Sequence, residues 1–275
     1  MNDGRHLDPD VERALDEAWE ALDDGDLKAA ARALASARAA APDEPEVFEL
    51  EAELARARDD PDAALEAYRR WSELDPDDPG PWLGTAEVYL DEGDPSEAVR
   101  LLRELLAGPP LDPLDEADAR HLLGIACEEK GDRKGMVREW LATLRLDRAN
   151  DPPQPRLSRD EFERLAAAAL EELPEEVLAK LDDVPLIVED RPSEAMVLEG
   201  LDPRTLGLFH GLALPERSVL GPGPDVGIIH LFQRNLEREA VDDEDLAEQI
   251  RITVLHETAH YFGASEDDMH RFGLN

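Results

Sequence analysis

The sequence is poor in cysteine, in aromatic residues and in long apolar runs. Its 275 residues include a single cysteine, Cys127, so a disulfide within the chain is excluded and a reducing compartment is expected. The longest apolar run, residues 165–170, consists mostly of alanine and is far too short to cross a membrane. The N-terminus lacks a basic start followed by an apolar stretch, so no signal peptide is expected. These absences together predict a soluble cytoplasmic protein.

Basic residues are also scarce. The chain has 29 Lys and Arg against 67 Asp and Glu, a formal charge of −38. Such a surplus of carboxylates would repel phosphate groups, so nucleic acid and anionic membranes are not expected as main partners. Hydrophobic residues make up 42% of the chain, too many for a disordered protein. The charge is therefore expected to coat a folded protein of one large domain or two ordinary ones.

The N-terminal half contains an internal repeat. Three residue series recur every 34 residues: Pro42, Pro76 and Pro110; Pro45, Pro79 and Pro113; Asp26, Asp60 and Asp94. Between them, segments rich in Ala, Leu, Glu and Arg alternate with short Asp/Gly or Asp/Pro breaks, a pattern typical of paired helices. The period of 34 residues resembles the tetratricopeptide repeat. The third unit matches best, because that repeat's signature positions are occupied here by Trp82, Tyr89, Ala98, Leu102 and Pro110. The resemblance implies an α-solenoid of helical hairpins over residues 1–150 that binds other proteins.

Acidic residues are expected along the groove of this solenoid. In tetratricopeptide arrays the first helix of each pair lines the concave face, and the corresponding positions here are Glu46, Glu49, Glu53, Glu87, Asp91, Glu128 and Glu129. A groove of this composition favours a basic peptide or protein partner, with association slowed by salt. The other interpretation is that these carboxylates are ordinary solvated surface in a uniformly acidic protein.

A change of pattern marks a second domain, residues 156–275. Three prolines lie within residues 152–155 and favour an extended linker. Ser158 and Glu161 then have the spacing of a capping box, which opens a helix that buries Phe162. A short helix is predicted over residues 175–181, and strands are predicted over residues 185–188 and 226–232. These elements predict a small α+β domain with a short sheet.

The clearest chemical motif lies near the C-terminus. Asp242 and the acidic residues after it suit the N-cap and first turn of a helix that runs to Phe262 and stops at Gly263. This helix contains His256-Glu257-Thr258-Ala259-His260, the H-E-x-x-H pattern. Residues four apart share a helix face, so both imidazoles can bind one zinc ion. Glu257 lies beside them, where its carboxylate could take a proton from a water bound to zinc.

The second domain resembles the minimal zincin-like metallopeptidase family of bacteria. The resemblance rests on residues 162–174, 185–190, 206–211, 214–218 and 256–263. The family pattern continues past the second histidine with a glycine and then an acidic residue, usually aspartate, and here that residue is Glu266. The resemblance implies one zinc ion held by His256, His260 and Glu266. Asp267 is the runner-up for the third ligand, and His270 stays an alternative.

Other candidate residues support less specific predictions. His230 lies in a predicted strand, either facing the cleft or packed as a structural residue, and the packed position is preferred. His210 and His121 have no partner at metal-ligand spacing. Arg217 and Tyr261 could each stabilise an oxyanion, but Arg217 could equally pair with a carboxylate and Tyr261 could equally pack in the core.

Two functions of different classes fit these patterns. In the first, the chain is a zinc-dependent metallopeptidase: zinc activates a water and polarises the peptide carbonyl, and Glu257 acts as general base. The repeats would then recruit a peptide or protein. In the second, the chain is a non-catalytic adaptor whose repeats bind a partner and whose C-terminal domain is a metal-stabilised binding module.

Overall fold

The computed structural model describes residues 8–173, 178, 181, 184–211 and 227–263. By its internal contacts the chain divides into two compact units, Met1–Leu146 and Asp147–Asn275. The predicted fold class is confirmed, because helical hairpins form the first unit and a small sheet flanked by helices forms the second. No helix of the described residues is long and apolar enough to cross a membrane.

The first unit is built from consecutive antiparallel helices. They are α1 (Pro9–Asp23), α2 (Leu27–Ala40), α3 (Pro45–Arg56), α4 (Pro61–Leu74), α5 (Gly80–Asp91), α6 (Pro95–Ala107), α7 (Pro113–Glu129) and α8 (Arg133–Asn150), whose last turn belongs to the second unit. The 34-residue aspartate series supplies N-caps: the side chains of Asp26, Asp60 and Asp94 accept hydrogen bonds from backbone N–H groups at the starts of α2, α4 and α6. The repeated sequence therefore sets where the second helix of each hairpin begins.

Glycine allows neighbouring helices to pack closely, both within a hairpin and between consecutive hairpins. Gly84 on α5 lies against the ring of Tyr68 on α4, and a Cβ at residue 84 would stand 2.2 Å from Tyr68 Cζ. Gly124 on α7 has the same relation to Trp140 on α8, where a Cβ would stand 2.1 Å from Trp140 Cδ1. Tyr68 and Trp140 are both buried. At both contacts the ring occupies the space that a side chain at the glycine would need.

The second unit contains a three-stranded sheet with the order β1-β3-β2. Its elements are α9 (Arg159–Glu171), β1 (Leu186–Glu189), α10 (Glu194–Glu199), β2 (Gly207–His210), β3 (Ile228–Phe232), α11 (Gln233–Glu239) and α12 (Asp243–Tyr261). Strand β1 pairs with β3 in parallel, and β2 pairs with β3 antiparallel. Ile229 and Leu231 of β3 join Phe162 of α9 and Val254 of α12 in a buried core. Both helices thus cover one face of the sheet, and α12 also lies next to the edge strand β2.

Several local predictions for this unit are confirmed. Ser158 and Glu161 form the predicted capping box. Strands occur at β1 and β3, within one or two residues of the predicted limits. Strand β2 was not predicted, because the segment around it is interrupted by glycines. The predicted helix over residues 175–181 falls mainly outside the described residues.

Candidate metal centre

Helix α12 carries the candidate centre, and its ends follow the sequence. The Asp242 side chain accepts hydrogen bonds from the N–H groups of Glu244 (3.0 Å) and Asp245 (2.9 Å), which satisfies the first turn. At the other end the helix stops at Tyr261, and Gly263 adopts a left-handed conformation with φ +82°. That conformation suits glycine because it has no Cβ. The predicted helix is therefore confirmed, together with its cap and its stop.

The helix brings His256 and His260 together on one face. Their Nε2 atoms are 3.1 Å apart, and the ring planes meet at 71° with centroids 4.8 Å apart. At this distance one ring can donate its N–H to the other, or both nitrogens can face a single cation. In a tetrahedral zinc site with Zn–N bonds of about 2.0–2.1 Å, two ligand nitrogens stand about 3.3–3.4 Å apart. The imidazole pair therefore fits a zinc ion with only a small adjustment.

Glu257 projects from α12 toward the edge strand β2. The residue is 7% exposed, and its Oε2 accepts a hydrogen bond of 2.5 Å from the backbone N–H of Phe209. Gly207, on the same strand, makes this approach possible: a Cβ there would stand 2.6 Å from Thr253 Cγ2 and 2.9 Å from Glu257 Cγ. The carboxylate is thus enclosed between its own helix and β2.

A third metal ligand is not found among the described residues, where no group of three or more His, Cys, Asp or Glu side chains could hold an ion. The predicted third ligand Glu266 and the alternatives Asp267 and His270 lie outside the described residues. Arg217, one of the two oxyanion candidates, also lies outside them. Within the described part of the chain, the candidate centre therefore consists of His256, Glu257 and His260.

The other described candidates differ in burial and in contacts. His230 is 9% exposed, and its Nδ1 lies 2.9 Å from Glu189 Oε2. Side chains alternate along β3, so His230 lies on the face opposite to Ile229 and Leu231 and away from α12. Tyr261 is buried and makes an edge contact with the ring of Phe209. His210 ends β2 with an exposed side chain, and His121 belongs to α7.

The part played by β2 is not predicted by the sequence pattern. Residues 206–211, which include Gly207 and Phe209, contribute only to the family resemblance. A glycine between apolar residues is the one sequence signal that could have indicated a close backbone approach here. The identity of the neighbour, Glu257, follows only from the fold, because Glu257 lies 48 residues from Phe209 along the chain.

Comparisons with known proteins agree with this architecture. A model of the zincin-like metallopeptidase family matches residues 181–274, and two tetratricopeptide repeat models match residues 15–79 and 55–114. The chain therefore carries tetratricopeptide repeats followed by a zincin-like metallopeptidase domain, as the two resemblances implied. No protein of curated function matches the chain.

Among solved structures, matches of low sequence identity include the following two. MamA 41-end from Desulfovibrio magneticus RS-1 is 16% identical to this chain. The matched region covers 64% of this chain and 92% of the MamA chain, with a TM-score of 0.43. PilW, described as a widely conserved type IV pilus biogenesis factor, is 14% identical, covers 97% of this chain and 100% of its own, and has a TM-score of 0.49.

Proposed function

We propose that this chain, in which tetratricopeptide repeats are joined to a zincin-like metallopeptidase domain, hydrolyses peptide bonds with the help of one zinc ion. The observation that carries the proposal is the pair of His256 and His260 Nε2 atoms, 3.1 Å apart on the same helix as the buried carboxylate of Glu257. Two converging imidazoles bind zinc, and a carboxylate beside them can move a proton. Surface histidines on a charged helix would not need a buried acid between them.

We assign the metal ligands to His256, His260 and Glu266. Imidazole nitrogens and a carboxylate oxygen are the donor types found in catalytic zinc sites, which use three protein ligands. Asp267 and His270 are the alternatives for the third position. When bound, zinc would lower the pKa of a water and polarise the carbonyl of the substrate peptide.

Glu257 is assigned the proton transfer. Its carboxylate accepts a proton from the water as the water oxygen attacks the carbonyl carbon. It then returns that proton to the amine nitrogen as the C–N bond breaks, so the carboxylate is regenerated in each cycle. Enclosure of Glu257 between α12 and β2 supports this role, because exclusion of bulk water strengthens the electrostatic interactions of a catalytic group.

The repeats are proposed to bind a basic segment of a protein partner or substrate. Burial and the charges of Glu46, Asp78 and Glu53 raise the pKa of Glu49 to about 7. A cationic side chain placed beside this cluster would relieve the repulsion and favour the ionised carboxylate. Farther along, Arg56 already pairs with Glu87 (2.5 Å) and Asp91 (3.4 Å). Glu46 and Glu49 are therefore the part of the predicted acidic surface that we assign to the partner, together with the neighbouring Asp78.

The substitution Glu257→Gln tests the catalytic proposal. Zinc content should be retained while hydrolysis of a fluorescence-quenched peptide library falls about 10²–10⁴-fold, the usual contribution of a general base. Glu248→Gln is the matched control: the same change on the same helix, at a residue that forms an exposed ion pair with Arg251. Equal activity of Glu257→Gln and wild type would reject the proposal. A fully closed metal site whose removal unfolds the domain would favour the adaptor hypothesis instead.

A further inference from the structure

Strand β2 presents part of its backbone away from the sheet. The N–H of Phe232 donates to the carbonyl of Leu206 (2.9 Å), so these two residues form a hydrogen-bonded pair of the antiparallel ladder. Such pairs occur at every second residue, and the register places the next one at Leu208 and His230. The N–H groups of Gly207 and Phe209, which alternate with them, therefore point away from β3, toward the outer edge of β2.

The outward N–H of Phe209 is used by Glu257. It donates a hydrogen bond of 2.5 Å to Glu257 Oε2. The donor belongs to a strand that is itself held by β3, and the acceptor belongs to α12, whose core side chains pack under the same sheet. Both ends of the hydrogen bond are thus anchored in the fold.

Gly207 sets the distance between β2 and α12. A Cβ at this residue would stand 2.6 Å from Thr253 Cγ2 and 2.9 Å from Glu257 Cγ, closer than real Cβ contacts allow. Any larger residue would push β2 away from the helix or displace the carboxylate. The glycine and the Phe209 N–H therefore act on the same side chain, one by leaving space and the other by bonding.

We infer that β2 positions the general base: the Phe209 backbone N–H holds one oxygen of Glu257, and Gly207 leaves the space for it to do so. This inference rests on the proposed function. A hydrogen bond to one oxygen stops the carboxylate from rotating freely, which keeps the group in the orientation that proton transfer needs. Phe209 and Gly207 are positioning residues, since they act through Glu257 and not on the substrate.

The hydrogen bond can be tested without metal or substrate. In the full-length, metal-free chain, the Phe209 amide should be protected from hydrogen exchange although it points away from β3. Glu257→Ala should accelerate its exchange about tenfold or more. The Leu208 amide, which the ladder directs to β3, is the internal control and should keep its rate. Equal exchange of the Phe209 amide in wild type and Glu257→Ala would overturn the inference, whatever the activity of the protein.

Catalysis gives a second test. Phe209→Pro removes the N–H, and an outward-facing position on an edge strand tolerates proline. Phe209→Ala also loses the ring but keeps the N–H, so comparison of the two isolates the hydrogen bond. In the zinc-loaded full-length chain, Phe209→Pro should have a kcat about tenfold or more below that of Phe209→Ala, with equal KM and zinc content. Equal kcat values, or a loss confined to KM or zinc content, would overturn the inference.

A backbone ester at residue 209 covers the case in which the proline variant does not fold. Replacement of Phe209 by phenyllactic acid removes the N–H and keeps the ring. The ester variant is therefore compared with wild type, and its kcat should be about tenfold or more below that of wild type. If wild type itself hydrolyses no peptide, the proposed function fails, while the exchange experiment still decides whether β2 holds Glu257.

Discussion

Asp147 accepts two hydrogen bonds of 3.0 Å from the guanidinium group of Arg204. The Asp147 side chain is 3% exposed, and Arg238 (3.3 Å) and Arg191 (3.8 Å) also approach it. Arg191 in turn forms a bidentate pair with Asp151. One buried carboxylate near the end of α8 is thus shared by guanidinium groups from three separate segments of the second unit.

Asp147→Asn should therefore lower the free energy of unfolding of the second unit by about 3–5 kcal/mol, because it removes the charge of a buried carboxylate that the guanidinium group of Arg204 contacts through two hydrogen bonds. Asp190→Asn is the matched control: Asp190 also pairs with an arginine, Arg159, but its side chain is 71% exposed. The control substitution should lower the free energy of unfolding by about 1 kcal/mol or less. Chemical denaturation followed by circular dichroism measures both. A loss for Asp147→Asn no larger than that of the control would contradict the prediction.

Gly84→Ala should destabilise the repeat unit by about 1–3 kcal/mol, because the added methyl group overlaps the ring of Tyr68. In a Tyr68→Ala background the overlap disappears, and the same substitution should be neutral or should stabilise by up to about 1 kcal/mol through the helix propensity of alanine. A double-mutant cycle of unfolding free energies measures this coupling. Equal effects of Gly84→Ala in both backgrounds would show that the contact with Tyr68 has no energetic role.

Glu49→Gln should change how the stability of the repeats depends on pH. The pKa of Glu49 is raised from its ordinary value of 4.5 to about 7, so between these values the folded state binds more protons than the unfolded state. Its contribution to stability is complete below pH 4.5 and is lost as pH rises through 7. The variant should therefore flatten this decline and raise Tm by roughly 2–4 °C at pH 8.

Thermal unfolding at several pH values checks the Glu49 prediction, with the exposed Glu20→Gln as control. The control should follow the wild-type curve. A Glu49→Gln curve that declines as steeply as wild type between pH 4.5 and 7 would mean that the Glu49 carboxylate is not responsible for the decline.

Glu266→Ala should weaken zinc affinity about tenfold or more if Glu266 is the third ligand. Competition with a chromophoric chelator measures the affinity, and Asp267→Ala and His270→Ala provide the comparison within the same acidic segment. If zinc binding is unchanged in Glu266→Ala but falls in one of the other two variants, the ligand must be reassigned to that residue.

Features that depend on neighbours along the chain could be predicted from the sequence. The aspartates spaced by 34 residues became helix N-caps, and the spacing of four between His256 and His260 placed both rings on one face of α12. Capping and helical periodicity act over a few residues, so they are written in the local sequence. The tetratricopeptide and zincin-like resemblances rest on the same kind of local pattern.

Tertiary structure alone decided how distant groups meet. The hydrogen bond from Phe209 to Glu257 joins residues 48 apart, and Arg204 reaches Asp147 across 57. The raised pKa of Glu49 likewise depends on burial and on Asp78, which lies on another segment. Burial and long-range pairing depend on how helices and strands pack against one another. A pattern within one segment does not show which groups of other segments lie next to it in the folded chain. The sequence by itself therefore determined the repeats and the histidine pair, whereas the surroundings of the proposed catalytic carboxylate were determined by packing.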